Sequence, residues 1–245
     1  MIATSIATVR TLATLVGVLF YVLVCAPAGL IWTAMVGNPR LLYAIGERGV
    51  RLGFGLAGIR IVVEGAEHIR RDGPAVYAAN HASNIEPPAV FLALRDLFPR
   101  LAVLYKAELR KLPLLVRVFD AAGFVPLERA NPGQSLPAVN RAADALRSGT
   151  SFVIFPEGTR SKTGALLPFK KGGFVMAISA GTPIVPVAIS GARRAMRKGS
   201  VLIWPATVTV AFAPAVPTAG KDFADRDGVI RQVRAAIEAR LPSET

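Results

Sequence analysis

Apolar and polar positions fall into two regimes along the chain. From Thr11 to Gly37 the stretch TLATLVGVLFYVLVCAPAGLIWTAMVG carries no charge, and a run of that length predicts a helix able to cross a hydrocarbon core of about 30 Å. Pro27 and Gly29 fall near its middle, so two shorter helices forming a hairpin in one leaflet satisfy the pattern equally well. The next stretch, PRLLYAIGERGVRLGFGLAGIR, alternates apolar faces with Arg40, Arg48, Arg51 and Arg60. It predicts an amphipathic helix whose arginines meet lipid headgroups.

After residue 58 the pattern changes. Strand-like runs occur at 59–65, 73–80, 101–106, 121–127, 151–156, 182–190, 200–205 and 207–214. Helix-period segments lie between them at 87–98, 107–118, 134–148 and 170–180. A last amphipathic segment at 222–241 spaces Val229, Ile230, Val233, Ile237 and Leu241 for one helix face. Strands separated by helices predict an α/β fold with a mostly parallel central sheet flanked by helices. The expected organisation is a membrane-anchoring helical segment at 1–58 followed by one α/β domain at 59–245.

Composition adds a partner class. Hydrophobic residues make up 52% of the chain, mean hydropathy is +0.45, and 29 Lys and Arg against 16 Asp and Glu give a net charge of +13. Such a charge favours anionic lipid surfaces and phosphate-bearing ligands. Nucleic acid is disfavoured, because no basic–aromatic interleaving or known binding motif accompanies the charge. Cys25 is the single cysteine, which excludes an intrachain disulfide and a multi-cysteine metal site, and two histidines leave little for a histidine-rich one. CAPAG would suit signal cleavage, but Arg10 is the only charge before the run and the apolar stretch continues past that site. The segment therefore reads as a retained anchor. Denser basic residues after it place the domain on the cytoplasmic side of the inner membrane.

Chemistry concentrates at a few turns. In NHASNIEPP, His81 and Glu86 are separated by five positions, between a strand candidate and a helix opening with Pro87. In a continuous helix those side chains would diverge by about 140°. In a strand-to-helix turn they can converge, and a residue before proline is pushed out of the helical region. On spacing alone, a helix cap beside a solvated carboxylate fits as well. IFPEGTRSKTG places Gly158 and Arg160 just after another strand, suited to close backbone approach and to phosphate. LPFKKGGFVMA puts Lys170 and Lys171 at a helix opening, and GFVPLERA ends a strand with Arg129. YKAELRKLPLLVR could lie on a membrane or form a solvated edge helix, and RRAMRK at 193–198 reads as a basic surface face or a headgroup contact.

Taken in order, NHASNIE, GFVPLER, FPEGTRS with PFKKG, and IVPVAI resemble the glycerolipid acyltransferase family over about residues 60–215. The likeness is greatest to bacterial 1-acylglycerol-3-phosphate acyltransferases. The resemblance implies acyl transfer from acyl-CoA or acyl carrier protein to a lysophospholipid hydroxyl, giving phosphatidic acid. It implies no metal, no covalent acyl-enzyme and no cofactor beyond the acyl thioester co-substrate. His81 would be the general base and Glu86 the carboxylate orienting it. Arg129, Glu157, Gly158, Thr159, Arg160, Lys170 and Lys171 would hold the acceptor phosphate, with Asn80, Ser83 and Lys106 in support. The family usually has aspartate where this chain has Glu86. Related enzymes acting on glycolipids often carry His-x4-Glu, so a glycolipid or another lysophospholipid remains an alternative acceptor. A membrane lipid-binding protein is the non-enzyme alternative.

Overall fold

The computed structural model describes residues 2–127 and 132–242. Seven strands form one sheet: β1 (Ile59–Glu64), β2 (Val76–Ala79), β3 (Leu101–Lys106), β4 (Val125–Leu127), β5 (Ser151–Ile154), β6 (Ile184–Ser190) and β7 (Ala206–Phe212). Their order is β1-β7-β6-β2-β5-β3-β4. All neighbours pair in parallel except β6 and β7, so β1 and β7 run against the other five. The α/β architecture with a mostly parallel sheet is as the sequence predicts.

β2 occupies the middle of the sheet, with Tyr77 in register with Val185 of β6 and Val153 of β5. Its residues alternate between two cores, as the two-residue period of a strand requires. Tyr77 and Ala79 join Val153, Val187, Val210 and Phe212 on one face, covered by α3 (Glu86–Ala93). Val76 and Ala78 join Phe152, Ile154 and Ile184 on the other, covered by α5 (Pro132–Arg147), α6 (Gly172–Ser179) and α8 (Arg226–Glu238). α8 docks through Val229, Val233 and Ile237, spaced four apart on one helical face. Burying a side chain such as Phe152 or Ile237 is worth about 1.5–3 kcal/mol.

The amino-terminal region is a helical hairpin. α1 (Ile2–Val36) runs unbroken through Pro27 and Gly29, so the apolar run is one helix and its hairpin partner is the next one, α2 (Arg40–Ala57). Glycines let the two backbones close up. A Cβ at Gly49 would stand 3.0 Å from the Tyr21 ring, one at Gly53 3.0 Å from Val18, and one at Gly29 2.8 Å from Ile45. The Tyr21 hydroxyl donates to the Ile45 carbonyl at 3.0 Å. α2 also packs inward: Phe54 and Ala57 belong to the α3-side core, and Tyr43 stacks near Phe91 and Phe98 while its hydroxyl bonds the Leu101 carbonyl. α1 is left with its outer side bare, including Leu15, Leu19, Phe20, Leu23 and Trp32. Thr4–Val36 is long and apolar enough to cross a membrane, and only 17% of its most apolar window is buried.

Two expectations need correction. Residues 200–205 form no strand. Ile203 donates its N–H to the Thr11 hydroxyl of α1 at 2.8 Å, and Trp204 donates to the Ala195 carbonyl at 2.8 Å, so the extended backbone finds partners outside the sheet. The basic segment 107–118 is two elements, a 3₁₀ turn at Ala107–Lys111 and α4 (Pro113–Ala121), which Pro113 starts; the following strand is shortened accordingly to Val125–Leu127.

Candidate active site

β2, β5 and β6 end side by side, and the site is assembled on their carboxyl ends. Two residues beyond β2, His81 points its Nδ1 at Glu86 Oε2, 2.8 Å away. Glu86 is the first residue of α3. Side chains at a helix start tilt back toward the preceding chain, and the glutamate uses its length in that direction. Oε2 also accepts the N–H groups of Ala82 (2.8 Å) and Ser83 (3.0 Å), and Oε1 that of Ala82 (3.0 Å). The carboxylate is 1% exposed and the His81 side chain 16%. With Nδ1–H donated to Glu86, Nε2 keeps its lone pair for a proton. The imidazole rests on Phe155 with ring centroids 4.5 Å apart.

The backbone of His81 is held as firmly as its ring. Its N–H donates to Glu157 Oε1 at 2.6 Å, and its carbonyl accepts from Ser161 N–H at 2.7 Å. Asn80 ties the turn to β6 through a pair of bonds with the Ile189 backbone, 2.7 and 2.9 Å. The Ser83 hydroxyl donates to the Met196 carbonyl at 2.7 Å and accepts the Ile85 N–H at 3.2 Å.

Glu157 differs from its expected place among phosphate ligands. It is buried, and its second oxygen accepts the Leu167 N–H at 3.0 Å, so both oxygens are taken up in joining the His81 turn to the 164–170 loop. A carboxylate there would also repel a phosphate. Burial pushes its pKa up, against the lowering effect of the Leu167 and His81 N–H groups, and Glu86 nearby adds to the rise.

Gly158 has φ +69, and a Cβ there would meet Lys170 Cδ and Cε at 2.9 Å, so the turn requires glycine and lets the Lys170 stem cross it. The Lys170 N–H donates to the Pro156 carbonyl at 2.7 Å. Thr159 is exposed and Arg160 half-buried; the guanidinium of Arg160 forms no hydrogen bond or ion pair among the described residues. Two predicted lysines are turned elsewhere. Lys171 lies 3.9 Å from Asp227 of α8, and Lys106, at the end of β3 and separated from β2 by β5, pairs with Glu108 at 2.8 Å. Arg129 lies outside the described residues.

Sequence reasoning missed two cations that act on these loops. Arg234 of α8 donates to the Leu166 and Leu167 carbonyls at 3.1 and 2.7 Å. Lys198 donates to the Arg160 carbonyl at 2.7 Å. The second sat in a basic run noted as a surface face; nothing local marks the first. Beside the turn lies an open cleft of about 420 Å³, lined in part by Asn80, Ala82, Glu86, Arg193 and Arg194. Among the described residues no three His, Cys, Asp or Glu side chains cluster as metal ligands would.

Residues 60–190, just over half of the chain, match the family described as Acyltransferase. The chain belongs to the acyltransferase family. The chain is 32% identical over 187 residues to the 1-acyl-sn-glycerol-3-phosphate acyltransferase of Limnanthes douglasii, covering 76% of its own length and 65% of the plant protein's. It is 31% identical over 181 residues to the human alpha form of that enzyme, 73% of this chain and 62% of the human one. It therefore spans a little under two thirds of these relatives' lengths. The crystal structure of the 1-acyl-sn-glycerophosphate (LPA) acyltransferase PlsC from Thermotoga maritima superposes with a TM-score of 0.78 at 25% identity, covering 97% of this chain and 93% of that one.

Proposed function

We propose that the protein transfers a fatty acyl group from acyl-CoA or acyl carrier protein to the free hydroxyl of 1-acylglycerol-3-phosphate, forming phosphatidic acid. The observation that carries this reading is the His81–Glu86 contact, seated on the same turn that hydrogen-bonds residues 157 and 161. The names of the plant, human and Thermotoga relatives support the acceptor.

In this mechanism His81 Nε2 takes the proton of the acceptor hydroxyl as its oxygen attacks the thioester carbonyl carbon. The new C–O bond forms, the C–S bond breaks, and the leaving thiolate takes the proton back from the imidazolium. Glu86 keeps His81 in the required tautomer and stabilises its transient charge. Arg160 and Lys170, converging on the Gly158 turn with Thr159, hold the acceptor phosphate, and Arg129 joins them on the strength of its sequence context. Lys171 and Lys106 are left out because Asp227 and Glu108 engage them. The glutamate is no argument for a glycolipid acceptor, since starting α3 at residue 86 gives it the contact an orienting carboxylate needs.

We infer that α1 fixes the enzyme to a membrane, with the site on the cytoplasmic side of the inner membrane. α1 is held alongside the α/β unit by Thr11 and by α2 along its length, so lipid meets its bare outer side and the helix lies within one leaflet. Exposed arginines such as Arg40 and Arg48 suit anionic headgroups.

The test is an acceptor panel with purified protein in anionic phospholipid vesicles, using labelled acyl-CoA and acyl carrier protein in parallel. Lysophosphatidate should be the preferred acceptor, and His81→Ala should lower the rate about 10²–10⁴-fold. Faster transfer to a glycolipid would overturn the acceptor, and full activity in His81→Ala would overturn the mechanism.

A further inference from the structure

The connection between β6 and β7, residues 191–205, lies wholly beyond the family match and touches both halves of the site. Its short helix α7 (Ala192–Ala195) places Arg193 where Nε donates to the Lys162 carbonyl at 3.2 Å. The Met196 carbonyl receives the Ser83 hydroxyl at 2.7 Å, beside the His81–Glu86 turn. Lys198 then reaches across to the other turn, where its Nζ donates to the Arg160 carbonyl at 2.7 Å and stands 3.4 Å from the Thr159 hydroxyl.

Lys198 contributes little to folding through this bond. The Arg160 carbonyl sits on a half-exposed turn that water could serve, and ordering a lysine side chain is entropically costly. What the bond does fix is direction. Arg160 leaves the turn at an angle set by its own peptide, and a charged donor on that carbonyl holds the peptide in one orientation. The ammonium also adds a positive charge next to the guanidinium.

We propose that Lys198 is a positioning residue for the acceptor phosphate: by gripping the Arg160 carbonyl it aims the Arg160 guanidinium at the anion. This rests on the reading of residues 158–160 as the phosphate turn. Lys198→Met and Lys198→Arg, compared with the unaltered enzyme in steady-state acyl transfer to lysophosphatidate, test it. Lys198→Met should raise the acceptor KM about tenfold, the size of one hydrogen bond to a charged group, with kcat and the donor KM within about twofold. Lys198→Arg should recover most of the loss, and amide hydrogen exchange at residues 161–164 should quicken in the methionine variant alone. An unchanged acceptor KM overturns the proposal, and so does a loss spread equally over kcat and both KM values. If the unaltered enzyme does not acylate lysophosphatidate, the acceptor reading fails first, and this inference falls with it.

Discussion

Replacing Glu86 by glutamine separates the charge of the orienting carboxylate from its geometry. Oε2 accepts three N–H donors, from His81 Nδ1, Ala82 and Ser83, at 2.8, 2.8 and 3.0 Å. Three donors at one position select the amide oxygen for it and turn the NH₂ group toward Oε1, where only the longer Ala82 bond is lost. His81 therefore keeps its tautomer, and the fold loses about 1 kcal/mol. The missing component is the attraction between carboxylate and imidazolium. For charges about 4 Å apart at an effective dielectric near 20 it amounts to about 4 kcal/mol, equivalent to a kcat lower by up to about 10³-fold. The assay is kcat and KM for lysophosphatidate, with urea unfolding as the control. Expected are a kcat reduced 10²–10³-fold, an unchanged KM and a small stability loss. Near-normal kcat in Glu86→Gln would refute the argument, because the carboxylate would then act by orientation alone. Glu86→Asp pulls the oxygen back by about 1.5 Å, which the turn recovers in part, so it should retain substantial activity where Glu86→Ala loses most.

Two further outcomes follow from the neighbouring turn. Gly158→Ala should cost about 1–2 kcal/mol for a left-handed residue and push the Lys170 stem aside, so urea midpoint and acceptor affinity should fall together; unchanged affinity would remove Lys170 from the phosphate site. Burial raises the Glu157 pKa in the folded protein, so its stabilising contribution is complete below the ordinary glutamate value and is lost as pH rises through the raised one. The stability of the unaltered protein relative to Glu157→Gln should accordingly decline as pH climbs from about 4; urea midpoints at several pH values would read this, and a gap that widens with pH would contradict it.

The strands were legible because β2, β5 and β6 are short, apolar and punctuated by proline and glycine. The His81–Glu86 contact was legible for a local reason, the proline pair that starts α3 directly after the turn. Residues 200–205 misled because SVLIWP has the composition of a strand, whereas its partner is a threonine hydroxyl 192 positions away. Glu157 misled for a related reason. A glutamate before Gly-Thr-Arg looks like part of an anion cradle, and only the tertiary meeting of the His81 and Leu167 N–H groups reveals what its oxygens do. Lys198 and Arg234 act on carbonyls 38 and 67–68 positions away, distances over which no sequence period carries information.

The way α2 is shared has a practical consequence for anyone preparing a detergent-free fragment. A cut at residue 58 looks natural from hydropathy. It would strip Phe54 and Ala57 from the core beneath α3, remove the ring of Tyr43 from Phe91 and Phe98, and leave the Ile203 N–H without Thr11. Solubility is better sought by exchanging bare apolar residues on the outer side of α1, such as Leu19, Phe20 and Leu23, for polar ones. The hairpin would then keep its place as a wall of the α/β unit while its outer side turned from apolar to polar.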